Sequence, residues 1–439
     1  MKNHLFFALI IVFFSSFSLS QSFDKKKLDG YFNTLEKNNK FMGSVAVSQN
    51  GIIIYTKSVG FSDVKNQIRN THETKFRIGS ISKTFTAVLV LNAIEDRKLT
   101  INQHIDKFFP SIKHAEQISI LQLLNHSSGI SNFTNDKNFV NYYTLPKTRE
   151  ELIQIIADGG SDFKPGKKAE YSNSNYVLLT LILEKIYDKT LDEILSKYIT
   201  QPLGLNNTFM GSKISTLSKD AKSYYYNEGW QEQVESDMSI PLGAGGIVST
   251  PSDIVKFSDA LFAGSLLNSE SVNLMKTIKE DYGVGLFSFS FKNKMGYGHD
   301  GAIDGFKSSF YHFSKGKISY SVISNGLDID LNFITNGVLN VINNEPFAIP
   351  SFQEYKVRSE ILEHYIGTYS SDEIPIKIKI SRNENKLIAQ GTDQPELILV
   401  ATGEHEFKFD QAGAIFTFIP TRNEMILNQD GRDFLFRKK

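Results

Sequence analysis

The chain has 439 residues, 41% hydrophobic and 22% charged, enough for one large and one small domain. Its 48 Lys and Arg balance 48 Asp and Glu, which argues against a nucleic-acid or anionic-membrane binder. It has no cysteine, which excludes disulfides, zinc–thiolate sites and a cysteine nucleophile.

The chain opens with a short basic stretch, Met1-Lys2-Asn3-His4, and residues 5–14 are all apolar. Ser18-Leu19-Ser20 then fits a small-x-small cleavage site before Gln21. The pattern predicts a signal peptide over residues 1–20, hence an exported protein, periplasmic or secreted. The apolar run is short for a bilayer, so no stable membrane span is expected once the signal is removed.

Residues 23–38 have helical spacing at Leu28, Tyr31, Phe32 and Leu35, with Asp24 as cap. Residues 43–48 and 52–55 read as strands joined at the hairpin signal Gln49-Asn50-Gly51. Lys75-Phe76-Arg77-Ile78 leads through Gly79-Ser80 into an apolar helix reaching about Glu95. Residues 121–130 predict a helix ending in a glycine turn, and residues 134–150 a polar and aromatic surface. Tyr171-Ser172-Asn173 follows a Pro165-Gly166 turn and precedes an apolar helix over 177–186. A glycine-rich run over 241–250 ends at Thr250, the cap of a helix from Ser252. Strands are expected over 282–291, 295–301, 306–313 and 317–324, and a closing helix over 331–342.

Residues 346–358 break the pattern and read as a linker between a hydrolase domain over 21–345 and a small domain over 359–439. The small domain carries eight short alternating runs. Turn signals such as Asn383-Glu384-Asn385 and Asp430-Gly431 separate them. Eight such runs predict an eight-stranded antiparallel β-barrel.

Ser80 and Lys83 are three apart at the start of a helix, so they share a face. A serine hydroxyl is a weak nucleophile, and a lysine held neutral by burial can take its proton. Ser-x-x-Lys also occurs at Ser22, Ser62, Ser161 and Ser314, but only Ser80 opens a long apolar helix after a strand and a glycine. Tyr171 supplies a hydroxyl for proton relay, and Asn173 a donor and an acceptor that hold Lys83 and a substrate amide. The run Tyr297-Gly298-His299-Asp300-Gly301-Ala302 is a strand of mainly small residues against which a substrate backbone can lie. The N–H of Ala302 and that of Ser80 are candidates for an oxyanion hole. The nine histidines show no HExxH or clustered spacing, so no metal is expected.

Ser-x-x-Lys, Tyr-x-Asn and His-x-Gly in this order resemble the serine β-lactamase and penicillin-binding-protein family, in its class C β-lactamase, DD-peptidase and esterase branch. Leu123-Leu124-Asn125-His126-Ser127-Ser128-Gly129-Ile130, Ala244-Gly245-Gly246 and Tyr282-Gly283-Val284-Gly285 add to the resemblance, which spans roughly residues 24–342. The C-terminal part looks like the lipocalin-like domain appended to some serine peptidases of the family. The resemblance implies an α/β (α+β) fold: an antiparallel sheet flanked by helices, plus an all-helical region. It implies no cofactor and a small-molecule or peptide substrate. It makes Ser80 the acylated nucleophile, Lys83 and Tyr171 the acid–base pair, and Asn173 a substrate-positioning residue. His299 stands where the family has Lys or His.

Asp300 departs from the pattern, standing where many relatives have a hydroxyl that helps bind a substrate carboxylate. A carboxylate there would repel such a group. The expected function is therefore hydrolysis of an ester or amide through a Ser80 acyl-enzyme. The alternatives are a DD-carboxypeptidase or β-lactamase, and a non-hydrolysing penicillin-binding-type sensor.

Overall fold

The computed structural model describes residues 23–429 and 432–439. The expected signal peptide lies outside the described residues. The hairpin forms as its turn chemistry requires: Asn50 and Gly51 both adopt left-handed φ, 53° and 77°, between strands Phe41–Gln49 and Ile52–Val59.

These two strands do not stand alone. The main sheet runs in the order Phe287–Phe291, Lys294–Ile303, Phe306–Phe313, Ile318–Leu327, Phe41–Gln49, Ile52–Val59, with every neighbour along it antiparallel. Two short strands, Tyr224–Tyr226 and Trp230–Glu232, extend it beside Gly326.

Side chains alternate across a strand, so the sheet divides two cores. Phe306, Phe310 and Ile323 face a core built on helices Ser82–Glu95, Asn173–Tyr187 and Pro251–Phe262. Tyr311, Phe313, Tyr320 and Val322 face the other side, where helices Lys25–Lys37 and Leu331–Ile342 pack. Ser82–Glu95 is buried around nearly its whole circumference, as its apolar sequence requires.

A third core belongs to a closed antiparallel barrel of eight strands, in which Gly367–Ser370 pairs with both Lys377–Asn383 and the last strand, Arg432–Lys438. Its interior is filled by Tyr365, Phe407, Phe418, Met425 and Phe436. Residues 345–358 carry no helix or strand. Phe347 and Phe352 lie against the sheet's second core and Val357 against the barrel core. The barrel touches the sheet where Lys40 Nζ bridges Asp328 at 2.8 Å and Asp410 at 3.1 Å. The Asp330 N–H donates to the Asp410 carbonyl beside it at 2.8 Å. Among the described residues no helix is long and apolar enough to cross a membrane, and no cluster of metal-ligating side chains occurs.

Candidate active site

Ser80 is half-buried in a single 3-10 turn, Gly79–Ile81, that runs directly into the helix Ser82–Glu95. Gly79 has φ +51°, and a Cβ there would lie 2.7 Å from the Ala302 nitrogen. Only glycine meets both demands. One turn on, Lys83 is completely buried.

Lys83 Nζ donates to Asn173 Oδ1 at 2.7 Å and to the Ala244 carbonyl at 2.6 Å, and lies 3.0 Å from Ser80 Oγ. A neutral amine has two N–H bonds and one lone pair. The two acceptors use both N–H bonds, which leaves the lone pair for the serine hydroxyl. Burial with no carboxylate alongside pushes the Lys83 pKa well below the ordinary lysine value. The Tyr171 hydroxyl donates to Ser80 Oγ at 2.7 Å. Burial raises its pKa, so the phenol is neutral.

Asn173 opens the helix Asn173–Tyr187. Its N–H donates to Asn132 Oδ1 and its Nδ2 to Thr134 Oγ1, each at 3.0 Å, so the amide is held with its oxygen toward Lys83. The edge strand Lys294–Ile303 completes the site. Its partner Phe287–Phe291 covers only residues 294–298, leaving residues 299–303 as an open edge. A Cβ at Gly301 would lie 2.1 Å from the Ile78 carbonyl oxygen and 2.3 Å from Ser308 Oγ. The strand therefore presses on the nucleophile turn as only glycine permits, and Ala302 stands beside Gly79.

His299 faces the Ser80 side of the strand, buried, with its ring 4.3 Å from that of Phe287. Burial pushes its pKa down to about 3, so it is neutral. His126 lies behind Tyr171 with ring centroids 4.6 Å apart, and its Nδ1 accepts the Ser172 N–H at 3.2 Å. Asp300, next to His299 on a strand, points the other way. Its Oδ2 accepts the Tyr311 hydroxyl at 3.0 Å, on the face of the second core. The structure thus brings together Ser80, Lys83, Tyr171, Asn173, His299, Gly301 and Ala302, and leaves the Asp300 carboxylate outside the group.

A cavity of about 390 Å³ opens beside Ser80, walled by Asn173, Ala302, Ile303, Asp304, Phe133, Phe139, Tyr143, Val234 and Ile240. A larger cavity, about 640 Å³, touches neither Ser80 nor Lys83. Asp304 is pinned by the buried Arg77, whose Nη1 donates to it at 2.7 Å while Nη2 donates to Glu235 at 2.8 Å. The Ser236 N–H and hydroxyl both donate to Asp304 Oδ1, tying the 233–236 wall to the end of the edge strand.

Asn132, Thr134, Asp304 and Arg77 are missing from the sequence-based site. Their contacts with it span from 39 residues, for Thr134 to Asn173, to 227, for Arg77 to Asp304, with no local motif to mark them. The 134–150 stretch, read as surface, supplies two aromatic wall residues, Phe139 and Tyr143.

The family model described as Beta-lactamase matches residues 32–335. The teichoic acid D-alanine hydrolase of Staphylococcus aureus (strain MRSA252) is 27% identical over 330 residues, 73% of this chain and 79% of that protein. The D-amino acid amidase of Ochrobactrum anthropi SV3, solved with D-phenylalanine, superposes with a TM-score of 0.63 at 25% identity, over 73% of this chain and 99% of that one. The octameric penicillin-binding protein homologue from Pyrococcus abyssi, at 22% identity, shares the fold over 94% of this chain and 99% of its own, with a TM-score of 0.67. With its family model covering more than half its length, and hydrolases among its relatives, the chain belongs to the Beta-lactamase family and is a serine hydrolase.

Proposed function

We propose that the protein is exported and hydrolyses an ester or amide through an acyl-enzyme on Ser80. The observation that carries this reading is the contact set at Ser80 Oγ: Lys83 Nζ at 3.0 Å and the Tyr171 hydroxyl at 2.7 Å. Ser80 Oγ attacks the carbonyl carbon and its proton passes to the Lys83 lone pair. The N–H groups of Ser80 and Ala302 meet the developing oxyanion. Collapse breaks the bond to the leaving atom, which takes the Tyr171 proton, and Lys83 restores that proton. Water then attacks the acyl carbon and gives its proton to Lys83; as the bond to Ser80 Oγ breaks, that oxygen takes the Tyr171 proton, and Lys83 again restores Tyr171.

The cavity wall contains no Lys or Arg, and the neutral His299 gives no cation in their place. This supports substrates whose acyl part carries no free carboxylate. Names of relatives favour D-aminoacyl esters or amides as a second, narrower reading. The same proposal takes residues 21–345 as the hydrolase domain, 346–358 as linker and 359–439 as a separate domain. Export rests on the signal-like N-terminus and on relatives named for teichoic acid.

The test is intact-mass and peptide-map analysis after a fluorophosphonate label. One adduct on Ser80 is expected in the folded protein and none in Ser80→Ala. A folded protein that never acquires an adduct on Ser80 overturns the acyl-enzyme, and leaves the sensor reading in its place.

A further inference from the structure

The cavity beside Ser80 lies on a definite side of the scissile bond. The leaving atom takes its proton from Tyr171, so it departs on the Tyr171 side. Tyr171 is absent from the cavity wall, which is made by Asn173 and the edge-strand residues Ala302, Ile303 and Asp304 instead. The cavity therefore receives the acyl part of the substrate. Its volume, about 390 Å³, falls in the range that encloses a whole small ligand, roughly 300–1,000 Å³.

Most polar groups on this wall are already engaged. The Asp304 carboxylate takes Arg77 and Ser236, and the Asn173 amide takes Lys83 and Thr134. Beside the Gln233 amide and the Tyr143 hydroxyl, what remains is apolar: Phe139, the Tyr143 ring and Ile303 are half-buried, and Val234 is 61% exposed at the mouth. A methyl-sized acyl side chain would leave these surfaces wet, whereas a larger one would cover them and gain by removing apolar area from water.

We propose that this cavity makes the enzyme selective for a bulky apolar acyl group, aromatic or long aliphatic, with Phe139, Tyr143 and Val234 setting the preference. The proposal rests on the acyl-enzyme reading. It is tested with p-nitrophenyl esters of acetic, butanoic, hexanoic and 3-phenylpropanoic acids, which share one leaving group. The full-length protein is expected to show kcat/KM rising at least tenfold from acetyl to the hexanoyl and phenylpropanoyl esters, in line with the ~10–200-fold that one methylene can supply in an apolar pocket. Val234→Asp, which places a charge at an exposed position of the mouth, should cut the ratio of phenylpropanoyl to acetyl turnover fivefold or more. Phe139→Ala should lower the same ratio, which guards against a folding defect in either variant alone. A flat or falling acyl series, or an unchanged ratio in both variants, overturns the selectivity and leaves the acyl-enzyme standing. Failure of every ester, acetyl included, to acylate Ser80 overturns both.

Discussion

In the proposed reaction, Lys83 decides whether Ser80 acts as the nucleophile. As a neutral amine with both N–H bonds on its two acceptors it offers the serine a lone pair, and burial lowers its pKa toward that state. The sign of the pH dependence follows. A lysine whose folded pKa is lowered is the competent base above that pKa and is lost as pH falls through it. The rate should fall as pH drops through the lowered pKa, and its rise should be complete well below the ordinary lysine value of 10.5. Lys83→Ala should lower Ser80 acylation by roughly 10²–10⁴, the range for general-base assistance. Stopped-flow p-nitrophenol release from pH 4 to 10 checks both, and a rate still rising at pH 10 would contradict a neutral Lys83. His299 and Asp300 carry a lesson at the same scale. The sequence places them side by side, and a strand sends adjacent side chains to opposite faces. A repulsive Asp300 in the pocket was therefore incompatible with a His299 that lines it. The alternation was legible, but which face met Ser80 depended on the register with Phe306–Phe313.

At the scale of elements, the edge strand and the nucleophile turn are held in contact by two glycines, Gly79 and Gly301. Gly301→Ala must push the strand away from Ile78, because its Cβ meets the Ile78 backbone oxygen as well as Ser308 Oγ. We expect kcat to fall by about 10²–10³, the cost of losing one oxyanion donor, with KM changed little. Steady-state kinetics on an activated ester, with circular dichroism to confirm the fold, reads this directly, and an unchanged kcat would remove Ala302 from the oxyanion hole. Elements with a strong local signal are legible in the amino-acid sequence itself. The eight barrel strands alternate with period two between recognisable turns, and each appears within a residue or two of its expected place. The acyl-side wall was not legible, because Phe133, Phe139 and Tyr143 sit in short 3-10 turns and loops with no periodicity to place them.

For the whole molecule, the contact between barrel and sheet centres on one cation. Burial alone would lower the Lys40 pKa, but Asp328 and Asp410 outweigh it and hold the value above the ordinary one. Lys40→Ala would leave Asp328 without its cation and Asp410 with Lys408 alone, at 3.0 Å, beside a backbone hydrogen bond from Asp330 to Asp410. Loss of charge-assisted bonds at a mostly buried site costs about 1–3 kcal/mol each. Differential scanning calorimetry should show the barrel unfolding in its own, earlier transition in this variant, and a single unshifted transition would show that Lys40 does not couple the two parts.

The sheet order has one more consequence, for the route by which the enzyme becomes active. Strand Phe41–Gln49 is paired with Ile318–Leu327, almost three hundred residues later in the chain. That pairing fixes the edge strand, and hence Ala302, relative to the helix that carries Ser80. Contacts of such sequence separation form slowly, because a long loop must close before they are rewarded. The two halves of the proposed oxyanion hole therefore come together late. During refolding, helix content should return well before hydrolysis does, and a chain still waiting for this closure carries an intact Ser-x-x-Lys turn without activity.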